Sequence, residues 1–435
     1  MPDAFRIAPA RSGSYPVRDG NAVCALVDGI PAYRRICEAV AAAERSVWAT
    51  IAFVDRNVVL PDDHGTLFDV LDRAAARGLD VRVVFWREPR IDPAPGPGWE
   101  HFPGNPAERA WLAARGTAWT ARWDHLPRGC HHQKSWVIDA GEDGEVAFVG
   151  GINMDRMSLV DRGHRAPSDL EHYHDVYCEI AGPCAADVHH NFVQRWNEAS
   201  ERGRDDGVWP PGVVGNDLEF PRVVGAARGE SRAQIVRTVR DREQSILETY
   251  SNAIDAARAW IYIENQFVFH APIFERIDAA LRRGVEVFVL VPGAPLPEVR
   301  EARKRDPRLF DALAALGRHE GFTLARLVYT EDDGRRRDVY VHSKMMIVDD
   351  EWMTIGSANL ERASLERATE LNVVCWDAEV VAGVRGDLFA EHGVADGAVT
   401  GPRGAARTNA RDGRAAGLLV ALDPARYAME STDCK

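Results

Sequence analysis

HHQKSWVID, residues 131–139, and HSKMMIVD, residues 342–349, carry one pattern twice: His-x-Lys-x4-Asp. The first copy supplies His132, Lys134 and Asp139, the second His342, Lys344 and Asp349. The residues between Lys and Asp are apolar, which reads as a strand, and side chains two apart on a strand share a face. His and Lys therefore point the same way, while Asp falls on the opposite parity. On this reading His and Lys form the chemical pair and Asp is a structural partner. Each copy is followed by a small-residue turn ending in Asn: Gly150-Gly151-Ile152-Asn153 and Gly356-Ser357-Ala358-Asn359. Small residues such as Gly151 and Ser357 let a backbone approach a substrate closely, and Asn offers a neutral donor. A lone His-x-Lys is common by chance; two full copies, each followed by Gly-x-x-Asn, are not.

The surroundings of the two motifs repeat as well. Upstream of the first lie a helical stretch (30–43), the strand SVWATIAFV (46–54), a helical period (67–76) and the strand LDVRVVFW (79–86). Upstream of the second lie a helix (244–257), the strand WIYIENQFVF (260–269), a helix (272–283) and the strand VEVFVLVP (285–292). Strand–helix–strand order predicts βαβ units with parallel strands, and strand-like stretches follow in both halves near 134–150 and 339–356. The chain thus reads as an internal duplication. Residues 1–205 form the first half and 231–395 the second, with a linker over 206–230 and a tail over 396–435. The linker expectation rests on ERGRDDGVWPPGVVGND (201–217), polar and rich in Gly and Pro. Asp92 to Pro106 is read as loop, and LLVALDP (418–424) as a late element.

Bulk properties narrow the function. A chain of 435 residues with 46% hydrophobic content fits two ordinary cores. No run of about 18 apolar residues appears, so no spanning helix is expected, and the N-terminus has no apolar stretch typical of a secretory signal. Seven scattered cysteines without Cys-x-x-Cys indicate neither a disulfide framework nor a thiolate zinc site. A cytoplasmic location is the expectation, with a secreted mature form left open. The net charge of −13 argues against nucleic acid as the main partner and against fast approach to an anionic membrane.

Two Lys, two Asn and two His around one point suit a phosphate: cations neutralise it, amides orient it, and imidazoles attack or transfer protons. The paired motifs resemble the phospholipase D superfamily, whose signature is His-x-Lys-x4-Asp-x6-Gly-Ser-x-Asn. The second copy fits without a gap. The first has four extra residues around 141–144 and Gly151 in place of Ser. The stretches 233–266 and 174–183 are similar to phosphatidylcholine-type phospholipases D, and the resemblance covers about residues 20–395. It implies an α/β fold, an internally duplicated α/β/α architecture with two mixed or mostly parallel sheets packed with pseudo-twofold symmetry. It also implies one active site between the halves, no cofactor and no metal. By position it makes His132 the nucleophile and His342 the general acid, with Lys134, Lys344, Asn153 and Asn359 beside them. Each family histidine is oriented by a downstream carboxylate, which implies Asp175 after His132 and Glu370 after His342. The implied activity is phosphodiester cleavage or exchange of phospholipid headgroups through a phosphohistidine. A nuclease and a cardiolipin-synthase-like phosphatidyl transferase are the alternatives. A monomer with peripheral membrane contact is expected.

Other features receive plainer readings. His131, His132, His172, His174 and Asp175 have metal-ligand chemistry but no known ligand spacing. His189 and His190 are read as surface residues on a helix. Trp86, Trp99, Trp111, Trp119 and Trp123 read as core packing rather than a lipid-binding wall. GRRRD (334–338) reads as a solvated turn.

Overall fold

The computed structural model describes residues 5–88, 102, 104–126, 129–164, 171–199, 217–331, 334–394, 418–427 and 429. Trp99, most of the 92–106 loop, the linker stretch 201–216 and the tail over 396–414 lie outside the described residues.

In the first half the elements run β1 (Arg18–Val27), α1 (Gly29–Ala42), β2 (Ser46–Ile51), β3 (Val59–Leu60), β4 (Gly65–Thr66), α2 (Leu67–Ala76) and β5 (Asp80–Trp86). They continue with α3 (Pro106–Ala114), β6 (Thr120–Asp124), β7 (Ser135–Ile138), β8 (Val146–Gly150), β9 (His172–His174), β10 (Val176–Ala181) and α4 (Ala185–Glu198). The second half opens with β11 (Ser231–Val239), β12 (Glu243–Gln244), α5 (Ser245–Ala256), β13 (Trp260–Asn265), β14 (Val268–Phe269), α6 (Ala271–Arg282) and β15 (Glu286–Leu290). Next come α7 (Pro297–Arg305), α8 (Pro307–Leu316), β16 (Phe322–Thr330), β17 (Arg336–Val341), β18 (Lys344–Val348) and β19 (Trp352–Gly356). The last elements are β20 (Leu360–Glu361), α9 (Arg362–Glu366), β21 (Thr369–Cys375), α10 (Ala378–Glu391) and β22 (Leu419–Leu422).

The duplication is visible strand by strand. The first sheet runs β1-β10-β8-β7-β2-β5-β6, parallel across β2, β5 and β6 and antiparallel elsewhere. The second runs β11-β21-β19-β18-β13-β15-β16, again parallel only across its last three strands. Both βαβ units, β2-α2-β5 and β13-α6-β15, were legible from periodicity. The edge pairing β1–β11 joins the two sheets into one 18-stranded array, and β9 of the first half adds to the second sheet through β17.

Each sheet has an outer helical layer and all share an inner core. Helices α1 and α2 cover the first sheet, and α5, α6 and α8 cover the second. Between the sheets, Phe192 and Trp196 of α4 and Val381 and Leu388 of α10 pack among Val149, Cys178, Ile235, Ile355 and Val373. Local chemistry fixes these helices. In α2, Leu67, Phe68, Leu71 and Ala74 fall on one buried face, and Thr66 with Asp69 forms a reciprocal N-terminal cap.

Several expectations change. The strand expected over 260–269 breaks into β13 and β14, because Phe267 N–H donates to the Asn265 side chain at 3.1 Å and Gln266 leaves the ladder. His189 is buried, bonded to Glu145 at 2.9 Å and edge-on to Trp48; His190 contacts Tyr15. The surface reading failed at His189 because Glu145 and Trp48 of the first half close over it, while His190 is only partly buried. Trp119 and Trp123 are core residues around Phe68, Phe85 and Phe102. The late element forms as β22 and pairs with β16.

Candidate active site

Both motifs stand at the mouths of strands rather than inside them. Strand β7 starts at Ser135, one residue past Lys134, and β18 starts at Lys344 itself. The histidines therefore precede the pleat, and the face-sharing argument does not apply to them. Each lysine instead folds back on its own motif: Lys134 Nζ donates to the His132 carbonyl at 3.0 Å, and Lys344 Nζ donates to that of His342.

The aspartates of the two motifs take no part in the cleft. Asp139 and Asp349 both adopt φ +53, just past the strand. There Asp139 accepts from the backbone N–H groups of Glu44, Arg45 and Ser46, and Asp349 from those of Arg258, Ala259 and Trp260. Each carboxylate ties the helix-to-strand turn before β2 or β13 to the motif strand beside it.

The carboxylates that meet the histidines come from the opposite half. His132 Nδ1 lies 3.0 Å from both oxygens of Glu370, and His342 Nδ1 lies 2.5 Å from Asp175 Oδ2. The backbone repeats the exchange: His132 N–H donates to Thr369 O at 3.0 Å, and His342 N–H to His174 O at 2.8 Å. In each case the acceptor is the residue just before the acid. The own-half pairing expected from the order of residues is therefore replaced by a reciprocal cross-pairing. Sequence distance misled because β9 pairs in parallel with β17, and the isolated bridge His131–Thr369 joins the other motif to β21.

Gly151 and Ser357, expected against substrate, are occupied with these acids. A Cβ on Gly151 would lie 2.3 Å from Asp175 Oδ1, so only glycine lets the carboxylate fit. Ser357 Oγ donates to Glu370 Oε2 at 2.5 Å and receives Leu371 N–H at 3.1 Å. The two asparagines are buried, and the side-chain oxygen of each lacks a partner. Asn359 Nδ2 reaches Gln266 Oε1 at 3.5 Å, and Gln266 Nε2 donates to Tyr340 OH at 3.0 Å. Gln266 was inside a quoted strand but carried no signal of its own. Aromatic rings frame the imidazoles: Phe53 meets His132 edge-on at 5.9 Å, and Tyr173 stacks on His342 at 5.3 Å.

The electrostatics are those of one site. Burial lowers the His132 pKa, with Lys134 and Lys344 adding to the effect and Glu370 opposing it. Burial also takes His342 well below the imidazole range, helped by both lysines and by His132. Lys344 is brought down to about 7, chiefly by burial, against the pull of Asp175. Asp175 rises to about 6, again chiefly through burial. Each motif thus feels the charges of the other, and both rings are poised neutral at Nε2 while Nδ1 faces a carboxylate.

The metal grouping considered from sequence does not assemble. His131 turns to Asp124 and Thr369, and His172 stacks on Tyr329. His174 joins a different set with Asp28, His164 and Glu391, whose donor atoms all lie within 4.8 Å of one another. His174 Nδ1 is 3.1 Å from Asp28 and 3.2 Å from Glu391, and His164 Nε2 is 3.2 Å from Glu391. The Nε2 of His174 meets Glu264 at 3.0 Å. Two imidazoles and two carboxylates are donors that could hold a divalent ion. The set also balances by itself: burial opposes charge on His174, but Glu264, Glu391 and Asp28 outweigh it and hold the ring protonated.

Known proteins carry the same plan. The family pattern described as "Cardiolipin synthase, PLD-like domain" matches residues 250–389. Phospholipase D A of Dictyostelium discoideum is 27% identical over 83% of this chain and 33% of its own length. Cardiolipin synthase A of Pseudomonas entomophila is 26% identical over 86% of this chain and 69% of its own. The crystal structure of phosphatidylserine synthase from Haemophilus influenzae Rd KW20 superposes with a TM-score of 0.56 at 14% identity, covering 86% of this chain and 87% of that one. Residues 250–389 thus match a PLD-like domain, and the chain is similar to phospholipases D and cardiolipin synthases. The chain spans a third of the Dictyostelium protein and 61% of the rice phospholipase D alpha 2. No described helix is long and apolar enough to cross a membrane.

Proposed function

We propose that this phospholipase D-superfamily chain is a phosphodiesterase that hydrolyses or exchanges phospholipid headgroups through a phosphohistidine. The observation that carries the reading is the cross-paired histidines: two imidazoles, each held at Nδ1 by a buried carboxylate, leaving Nε2 of each for chemistry. His132 Nε2 attacks phosphorus, and the bond to the leaving alcohol breaks as His342 Nε2 gives that oxygen its proton. Glu370 stabilises the positive ring formed on His132. Water or a second alcohol then gives its proton to His342 and attacks phosphorus, and the P–N bond breaks to free His132. Lys134 and Lys344 offset the phosphate charge, and Asn153 and Asn359 orient it.

The depressed His342 pKa fits this cycle. In the empty site two lysines disfavour a third positive charge. A bound phosphodiester adds the negative charge that lets His342 take up the proton it must deliver. Transfer to a second alcohol stands beside hydrolysis as a product route, since the family pattern and the Pseudomonas relative are described as cardiolipin synthases. Contact with the lipid surface is peripheral, and the chain acts as a monomer. The test is incubation with mixed phospholipids and ethanol, with single-stranded DNA in parallel. Phosphatidylethanol is the expected product; DNA cleavage with intact lipids would instead support a nuclease.

A further inference from the structure

The two halves differ at one acidic position. Two residues after each motif asparagine stands an acid: Asp155 after Asn153, and Glu361 after Asn359. They occupy the same place in the repeat, because Met154 bridges to Val54 as Leu360 pairs with Val268. Asp155 is tied down: its Oδ1 accepts the Ser158 N–H at 2.8 Å and caps a turn. Glu361 is partly exposed, and among the described residues no hydrogen bond or ion pair reaches its carboxylate. It is close enough to Glu370 and Lys344 to interact electrostatically with both. The same register matches Gln266 with Ala52, so the link Asn359–Gln266–Tyr340 is also peculiar to the second half. Tyr340 stacks on Tyr173 at 4.7 Å, and Tyr173 stacks on His342. A free carboxylate and an aromatic pair thus belong to the side of the site that holds the proposed general acid.

We propose that Glu361 reads the charge of the alcohol bonded to the phosphate, as leaving headgroup or as acceptor, and favours one bearing an ammonium group. This rests on the phosphodiester-transfer reading above. The physical argument is a charge balance. Asp175, Glu370 and the substrate phosphate already answer Lys134 and Lys344. A further carboxylate beside the phosphate repels it unless a cation stands between them. An ammonium a few bonds from phosphorus is such a cation, and the faces of Tyr173 and Tyr340 suit it as well. Burial raises the Glu361 pKa to about 7, with Glu370 adding to it and Lys344 opposing, so the carboxylate gains from such a partner. The overall charge of −13 favours zwitterionic over anionic lipid in the same direction.

The experiment uses the full chain with phosphatidyl-p-nitrophenol as donor. Protonated 2-aminoethanol, 1-propanol and glycolate compete as acceptors of similar size. The readout is the ratio of phosphatidyl products by mass spectrometry, so a loss common to all acceptors cancels. The wild-type chain should prefer cationic over neutral over anionic acceptor. Glu361→Gln should cut the cation-to-neutral ratio about tenfold, as for loss of one charge-assisted contact, while Glu361→Asp should keep most of it. An unchanged ratio in Glu361→Gln overturns the assignment. So does a wild-type chain that ranks the acceptors without regard to charge, which needs no variant to fold. If the wild-type chain neither releases p-nitrophenol nor forms any transfer product, the failure lies with the proposed function itself.

Discussion

Replacing Glu370 by Gln should disable His132, the proposed nucleophile of the other half. Glu370 is fully buried, 3.0 Å from His132 Nδ1, with Ser357 fixing its second oxygen. Gln keeps the shape but removes the charge that balances the ring once its Nε2 carries phosphorus. A hydrogen bond to a charged group contributes about 1.5–3 kcal/mol, so formation of the intermediate should slow roughly 10- to 150-fold at ~1.36 kcal/mol per decade. Asp175→Asn should produce a loss of similar size for a different reason, because Asp175 holds His342, the proposed proton donor. The two variants separate on a donor whose leaving group needs no proton. With phosphatidyl-p-nitrophenol, stopped-flow release of p-nitrophenol should recover toward wild type in Asp175→Asn and stay slow in Glu370→Gln. The opposite pattern, recovery in Glu370→Gln and not in Asp175→Asn, would refute either the cross-pairing or the assignment of His132 as nucleophile.

Further outcomes follow from the same geometry. In His342→Ala with the p-nitrophenyl donor, protein denatured at alkaline pH, where the P–N bond survives, should carry a phosphoadduct on His132 by peptide mass spectrometry, since breakdown lacks its base; an adduct on His342 in the wild-type chain would reverse the roles. Chains 1–205 and 225–435 expressed separately should each be inactive, because each lacks the acid that its own histidine uses; turnover by either as a monomer would count against a shared site. Gly151→Ala should lower both activity and melting temperature, since its new Cβ would stand 2.3 Å from Asp175 Oδ1; a steric insertion of this kind costs about 1–3 kcal/mol, and an unaltered melting curve would contradict it. Activity should persist after exhaustive dialysis against a chelator, because the two lysines supply the charge; a loss reversed by zinc, magnesium or calcium would shift attention to Asp28, His164, His174 and Glu391.

Much of this was legible in the sequence because it is written in local periodicity. The βαβ units, the helix 67–76 and the two motifs all announce themselves within a dozen residues. What stayed hidden depends on partners far along the chain. Nothing near Glu370 says that it belongs to His132, and only the β9–β17 and 131–369 pairings reveal it. The same holds for Ser357 and Gly151, whose place in the signature resembles that of substrate contacts but whose atoms face carboxylates. His189 illustrates the rule from another side: its helix looks amphipathic, yet both of its faces are covered. Asp139 and Asp349, set apart from the cleft by an assumed strand parity, cap turns just past the ends of β7 and β18.

The exchanged carboxylates also set a clock on the appearance of activity during synthesis. His132 waits for an acid 238 residues downstream. At about 5–20 residues per second, a ribosome takes on the order of tens of seconds to cover that span. Through that interval the first sheet can form its βαβ unit from local contacts, but its histidine has no counter-charge and the second motif has not emerged. On the proposed mechanism, a nascent or truncated chain is therefore unable to form the phosphohistidine until β21 has emerged and paired. The long-range contact that slows folding thereby delays the proposed site until β21 has joined the second sheet.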